Sequence, residues 1–346
     1  MRALILAGGK GTRLRPLTVY TPKPIVPVLN RPFLEYQIEI LKRADIHDIT
    51  LSLNYQPDKI QQILGYGEDL GVKIDYVTEP QPMGTAGAYK YAANDFEEPT
   101  IVVNGDILTD LIISRLIKHH QRSGAKATIA LAPVEDPKRY GLVKTDGDGN
   151  VEEFLEKPDA EALGTAGTSL INAGIYVLEK DILELIPEAE NYSFEYNVFP
   201  AILEKKIPFS SYAMEREYWC DIGTPKTYLK AHMDFLEGRI KNFPIERDAA
   251  HDRATSTYVD ETSVIDQDCV IKPNVKISNS VIGRGVVIEE KAVIENSVIW
   301  PHSRISNSAK VSGAILARSC YVGKNAVIGP GAVLGNKTTL TDYTRV

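Results

Sequence analysis

Up to about residue 240, short apolar runs alternate with longer segments of helical periodicity. Ala3–Ala7, Ile49–Leu53, Lys73–Val77, Ile101–Val103 and Ala127–Ala132 predict strands. Phe33–Ala44, Asp58–Gly65, Ala86–Ala93 and Leu111–Ser123, which lie between them, predict helices. Strands that alternate with helices predict an α/β domain: a mixed, mostly parallel sheet with helices on both faces. The first strand runs straight into Gly8-Gly9, so a glycine loop should sit at the carboxyl edge of the sheet, where such folds bind ligands.

The pattern then changes. Residues 242–257 are polar and show no clear period. From Val264 onward, apolar pairs recur every five or six residues, among them Val264-Ile265, Val270-Ile271, Val281-Ile282, Val287-Ile288, Val293-Ile294 and Val298-Ile299. This continues to Val327-Ile328 and Val333-Leu334, with small or polar residues between the pairs. Such a period predicts a parallel β-helix whose apolar pairs fill a prism-shaped core. A β-sandwich of ordinary alternating strands is the alternative. The expected organisation is an α/β domain over 1–240, a linker over 241–260 and the β-helix over 261–346.

Composition narrows the classes of partner. With 346 residues, 43% hydrophobic and 25% charged, the chain suits two domains that each bury a core. A net charge of −7 with no long basic run argues against nucleic acid or an anionic membrane as partner. Phosphorylated substrates would have to be gathered by local cations and bound metal. Cys220, Cys269 and Cys320 lie far apart without zinc-ligand spacing, which suggests reduced thiols in a cytoplasmic protein.

The candidate chemistry starts at Leu6-Ala7-Gly8-Gly9-Lys10-Gly11-Thr12-Arg13-Leu14. Leu14 stands where a dinucleotide fingerprint needs its third glycine, and the P-loop pattern is also absent. What remains is a glycine loop near Lys10, Arg13, Arg15 and Lys23. Glycines admit backbone N–H groups to phosphate oxygens, and the cations neutralise them. A tight strand-to-helix turn with solvated charges is the alternative.

The full run G-G-x-G-T-R-L-x-P-L-T with Pro22-Lys23-Pro24 resembles the signature of the sugar-phosphate nucleotidyltransferases. The likeness extends through Gly84-Thr85-Ala86-Gly87, Asn104-Gly105-Asp106, Glu156-Lys157-Pro158, Asn172-Ala173-Gly174-Ile175-Tyr176 and Trp219-Cys220-Asp221-Ile222-Gly223. It implies a Rossmann-like first domain and a left-handed β-helix, a recurrent attachment in that family. It also implies Mg²⁺ on Asp106 and Asp221, with Arg13 on the β- and γ-phosphates and Lys23 on the α-phosphate. Leu6, Ala7, Gly8, Gly9, Gly11, Thr12, Gly84 and Thr85 would line the nucleotide. Gly141, Glu156, Lys157, Asn172, and Thr168 or Ser169, would take the sugar phosphate. A homo-oligomer formed through the β-helix is the expected assembly.

Base choice is read separately. Aligned on Gly84, the base-reading position is Glu79, with Gln81 as the alternative. An ionised carboxylate only accepts hydrogen bonds, and guanine presents two adjacent donors to it. With the G-T-A-G and E-K-P elements, this resembles mannose-1-phosphate guanylyltransferases more than the thymidylyl- or uridylyltransferases. An acyltransferase reading of the β-helix would need His302, the only histidine of the tail; a surface or turn residue is the plainer account of it. A catalytically silent regulatory paralogue would tend to lack Arg13, Lys23, Asp106 or Asp221, and all four are present.

Overall fold

The computed structural model describes residues 1–159, 161, 163, 168–245, 252–253 and 256–346. It divides into two compact units, Met1–Gly9 with Leu34–Trp219 and Lys10–Phe33 with Cys220–Val346.

The first unit is built on a mixed sheet. In chain order its elements begin with β1 (Arg2–Leu6), α1 (Phe33–Lys42), β2 (Asp48–Leu53), α2 (Pro57–Leu64), β3 (Lys73–Thr78), α3 (Gly84–Ala92), β4 (Thr100–Asn104) and α4 (Ile113–Ser123). There follow β5 (Ala127–Pro133), β6 (Gly141–Thr145), β7 (Val151–Glu156), β8 (Leu170–Leu178), α5 (Phe199–Glu204) and β9 (Phe209–Ala213). The strand order is β7-β6-β8-β4-β1-β2-β3, and β5 joins β8 to β9. Strands β4, β1, β2 and β3 run parallel, whereas β8 runs against β4, β5 and β6. The predicted strands and helices of this unit lie where expected, to within a few residues at their ends.

Strand alternation assigns the two faces. Ile129 and Leu131 of β5 join Tyr89, Tyr176, Phe194 and Phe199 in one apolar cluster, on the face that α3 covers. Thr128 points the other way and meets the buried His120 of α4 through an Oγ1 to Nδ1 contact of 2.8 Å. One interruption matters for function. In β8 the register against β5 shifts between Asn172 and Tyr176, where Gly174 adopts φ +73°. A Cβ on Gly174 would lie 2.8 Å from Asn104 Nδ2, so only glycine fits this bulge.

The second unit carries the β-helix, a left-handed coil of three parallel sheets with six, five and five strands. Partners in successive coils are 17 residues apart, as in Val264 with Val281 and Val270 with Val287. They are 18 apart in the first and last coils, as in Asp252 with Val270 and Ile315 with Val333. One side of most coils is thus a residue shorter than the other two. The short corners are turned by Asn279, Asn296 and Gly313, all at positive φ. There the N–H of Ser297 donates to Ser280 Oγ (3.1 Å) and that of Ala314 to Ser297 Oγ (3.2 Å), so a column of buried hydroxyls satisfies backbone that the tight turn strands. Ile277, Ile294, Val311 and Ile328 stack inside as the core. Part of the expected linker over 241–260 lies outside the described residues; Asp252–Arg253 and Tyr258–Val259 within it already pair as strands of the coil.

The β-helix, the helix α6 (Pro225–Leu236) and the 10–33 segment belong to this same unit. Trp300, fully buried, donates its indole N–H to Tyr228 Oη at 3.0 Å, and the Tyr228 hydroxyl donates to the carbonyl of Pro27. Asn30 Nδ2 donates to the Ile282 carbonyl at 3.0 Å. These bonds fasten the 10–33 segment to the coils.

Among the described residues, no helix is long and apolar enough to cross a membrane. The three cysteines are buried and free, and burial pushes the thiols of Cys269 and Cys320 up to about 11.

Candidate active site

In the first unit, β1 ends at Leu6 and delivers Ala7 and Gly8 to the edge of the sheet. Gly105 N–H donates to the Leu6 carbonyl at 2.9 Å, and a Cβ on Gly105 would lie 2.7 Å from that oxygen. The glycine therefore lets the end of β4 close on β1 and sets the half-buried Asp106 beside the start of the loop. The Asn-Gly-Asp triplet has a steric reason as well as a chemical one.

Glu79 lies 71 positions from Gly8, yet a Cβ on Gly8 would sit 2.7 Å from its Oε1. The Glu79 side chain is buried, with the residue 7% exposed. Ser52 Oγ donates to Oε1 at 3.0 Å and the Met83 N–H donates to Oε2 at 3.2 Å. Burial raises the carboxyl above its ordinary value, and these two bonds offset part of the rise. Gln81, the alternative base reader, is exposed.

The G-T-A-G element opens α3. Gly84 has φ +71°, and a Cβ there would lie 2.5 Å from the Tyr192 carbonyl. A Cβ on Gly87 would lie 2.5 Å from the Glu190 carbonyl. The N–H groups of Ala86 and Gly87 donate to the Tyr192 carbonyl at 2.9 and 3.0 Å. Both glycines are thus seats for the 190–192 segment. Thr85 Oγ1 is engaged too, donating to Glu195 Oε2 at 2.9 Å and accepting from the Phe194 N–H.

The expected sugar residues gather around the bulge of β8. Asn172 Oδ1 accepts from the Gly174 N–H at 2.8 Å, while Asn172 Nδ2 donates to Tyr176 Oη at 2.9 Å. Trp219 Nε1 donates to the Ala173 carbonyl at 2.9 Å, which satisfies a carbonyl of the bulge. A Cβ on Gly141 would lie 2.9 Å from Glu156 Oε2, so glycine there leaves the carboxylate its room. Burial raises the Glu156 carboxyl, the charge of Glu195 adds to the rise, and Lys157 opposes it. Lys157 Nζ lies 3.4 Å from Glu156 Oε1 on a backbone at φ +48°, a strained conformation for a non-glycine residue. Thr168 Oγ1 accepts from the Leu170 N–H at the entry to β8.

In the second unit, Gly11 (φ +61°) begins a 3-10 turn over Thr12–Leu14, and Leu14 is fully buried. The residue that replaces a fingerprint glycine is thus an apolar anchor. Thr18 Oγ1 donates to the Gly11 carbonyl at 2.7 Å, and a Cβ on Gly11 would lie 3.0 Å from Lys23 Cβ. Lys23 is only 8% exposed, unusual for a lysine. Its Nζ lies 4.0 Å from Asp221 Oδ1, and Arg13 Nη2 lies 4.0 Å from Asp221 Oδ2. A Cβ on Gly223 would meet Asp221 Oδ1 at 2.6 Å and Arg13 Nη2 at 3.0 Å, which accounts for the glycine of the W-x-D-I-G motif. Thr224 then caps α6 with a capping box. The expected catalytic cations and one expected metal carboxylate therefore share one cluster. Gly9 is the exception to the steric pattern, since nothing lies within 4 Å of a Cβ built there.

His302 is an exposed corner of the coil at φ +62°, in the column of positive-φ turns that also holds Gly285 and Ser319. Its position is explained by the turn alone. Glu195, which motif reading did not single out, is held by Ser193 beside it in the chain and by Thr85, 110 positions away.

The chain matches the nucleotidyl transferase family over residues 2–238 and the EIF2B subunit epsilon LbH domain over residues 245–346. It is 36% identical to the mannose-1-phosphate guanylyltransferase catalytic subunit beta of Danio rerio, covering 78% of this chain and 74% of that protein. It is also 36% identical to the mannose-1-phosphate guanyltransferase of Kluyveromyces lactis, covering 77% of this chain and 73% of that one. A crystallised protein of Bacillus anthracis, assigned as a glucose-1-phosphate thymidylyltransferase and solved with sucrose, aligns with a TM-score of 0.61. The two are 26% identical over 70% of this chain and 97% of that one.

Proposed function

This chain belongs to the nucleotidyl transferase family, and from that premise we propose that it transfers GMP from GTP to mannose 1-phosphate, releasing pyrophosphate and forming GDP-mannose. The observation that carries the nucleotide choice is the buried Glu79 carboxylate lying against Gly8 of the loop. The relatives named as mannose-1-phosphate guanyltransferases support the same base and the sugar.

The reaction is an in-line displacement at the α-phosphorus. A sugar 1-phosphate oxygen attacks, and the bond to the pyrophosphate leaving group breaks. The nucleophile is already an anion at neutral pH, so no general base is required. The chain's task is alignment and charge neutralisation. Arg13 engages the β- and γ-phosphates and Lys23 the α-phosphate; the buried setting of Lys23 keeps that charge fixed rather than solvated. Backbone groups of Leu6, Ala7, Gly8, Gly9, Gly11 and Thr12 line the phosphates, and the backbone of Gly84 and Thr85 at the start of α3 serves the nucleoside. Glu156 accepts from a sugar hydroxyl, Lys157 holds the sugar phosphate, and Asn172 and Gly141 complete that pocket.

Asp106 and Asp221, each half-buried, would each offer Mg²⁺ the hard carboxylate oxygens it favours. No trio of metal-ligating side chains clusters among the described residues, but Mg²⁺ needs only one or two carboxylates beside its phosphates and waters. The ion, when bound, would neutralise phosphate charge and fix the orientation of the triphosphate. The protein acts in the cytoplasm, as a homo-oligomer assembled through the β-helix.

The test is pyrophosphate release with GTP, UTP, dTTP, ATP and CTP against mannose, glucose and N-acetylglucosamine 1-phosphates. GTP with mannose 1-phosphate should give the highest kcat/KM, and excess EDTA should abolish turnover until Mg²⁺ is restored. Preference for dTTP with glucose 1-phosphate would replace the substrate assignment, and silence of the whole panel would refute catalysis.

A further inference from the structure

Glu195 is fixed more firmly than a turn residue needs. Its Oε2 accepts from Ser193 Oγ at 2.6 Å and from Thr85 Oγ1 at 2.9 Å. Ser193 Oγ also accepts from the N–H groups of Glu195 and Tyr196, and Thr85 Oγ1 from that of Phe194. Two hydroxyls on rigid backbone therefore hold one carboxylate oxygen, while Oε1 makes no hydrogen bond among the described residues.

The charge of Glu195 reaches the expected sugar residues. It is the largest cause after burial of the raised Glu156 carboxyl, and likewise of the raised Tyr176 hydroxyl. Tyr176 Oη is joined to Asn172 Nδ2 at 2.9 Å. Glu195 thus lies near enough to Glu156 and to the Tyr176–Asn172 pair at the bulge of β8 for its charge to act on them. Like charges at close range disfavour one another, and the arrangement is relieved when a ligand donates to both. A hexose does so with adjacent hydroxyls, each making a charge-assisted bond to one carboxylate.

We propose that Glu195 is a second sugar-reading carboxylate, whose Oε1 accepts from a ring hydroxyl neighbouring the one taken by Glu156. Thr85 and Ser193 are its positioning residues. Thr85 thereby joins the sugar pocket to the first turn of α3. The proposal rests on the assignment of this pocket to the sugar 1-phosphate.

The experiment compares wild type with Glu195→Gln, using the sugar 1-phosphate that wild type turns over best and the monodeoxy analogues of that sugar. The variant should raise KM for the sugar 1-phosphate about tenfold, the loss of one charge-assisted bond. KM for the nucleotide and Tm should hold. One monodeoxy analogue, poor with wild type, should lose little further in the variant, because the hydroxyl it lacks is the one Glu195 reads. The proposal is overturned if the sugar KM does not move. It is also overturned if both substrates suffer equally with a fall in Tm, as a purely structural tie would produce, or if every analogue loses as much again in the variant. A wild type inactive with all sugar 1-phosphates would instead overturn the underlying assignment, and this one with it.

Discussion

At Glu79 one side chain carries the question of base choice. Its two oxygens already accept from Ser52 and from the Met83 backbone, so the carboxylate plane is set before any ligand arrives. Each oxygen keeps a second lone pair, and guanine offers N1–H and an exocyclic amine to such a pair. Glu79→Gln keeps the shape but replaces one acceptor with a donor. Selectivity for GTP over UTP, measured as a ratio of kcat/KM, should fall roughly tenfold or more. A variant as selective as wild type would remove Glu79 from base reading. The residue types at these sites were legible in the motifs, but their partners were not. Nothing in the spacing of Ser52, Met83 and Gly8 tells that they meet around Glu79, because they are brought together by β2, β3 and the loop.

The short corners of the β-helix show how an element enforces its own period. Removing one residue per coil leaves a backbone N–H facing inward, and the buried serine of the coil before receives it. Ser297→Ala would strand the Ala314 N–H, while the Glu295 carbonyl keeps the Gly313 N–H, and should cost about 1–3 kcal/mol. Ser306, equally buried, has a hydroxyl with no hydrogen-bond partner among the described residues, so Ser306→Ala should be neutral or mildly stabilising. Urea titrations of the two variants beside wild type test the contrast; equal midpoints for both would discount the hydroxyl column. The apolar pairs announced the coil from the sequence. The 17-residue repeat was visible as mixed five- and six-residue spacing, but the reason for the short side needed the corner geometry.

At the scale of the whole molecule, the 10–33 segment belongs to the same compact unit as the β-helix. Its tie passes through Trp300, Tyr228 and Pro27, with His232 packed against Tyr228 at a ring separation of 4.5 Å. His232 is completely buried, and burial pulls its pKa down from 6.5 to about 4, with nearby backbone carbonyls opposing the fall. The unfolded chain therefore binds the proton first as pH drops. Stability from this group is complete above about pH 6.5 and is lost between there and about pH 4, by up to roughly 3 kcal/mol. Chemical denaturation at pH 7.5 and pH 5 should show about 2 kcal/mol of that loss in wild type and much less in His232→Gln. An equal pH slope in both would mean that His232 is not the group responsible.

The amino-acid sequence by itself determined the α/β domain and the coil, and the resemblance of its motifs to the sugar-phosphate nucleotidyltransferases named the reaction class. Those depend on local pattern: a glycine loop after an apolar strand, helical and strand periods, and apolar pairs at fixed spacing. Only the tertiary structure decided which side chains act together. It put Glu79 on Gly8, Glu195 on Thr85, and Tyr228 between Trp300 and Pro27, because each of these contacts is made by chain segments that meet only when the strands and coils have closed.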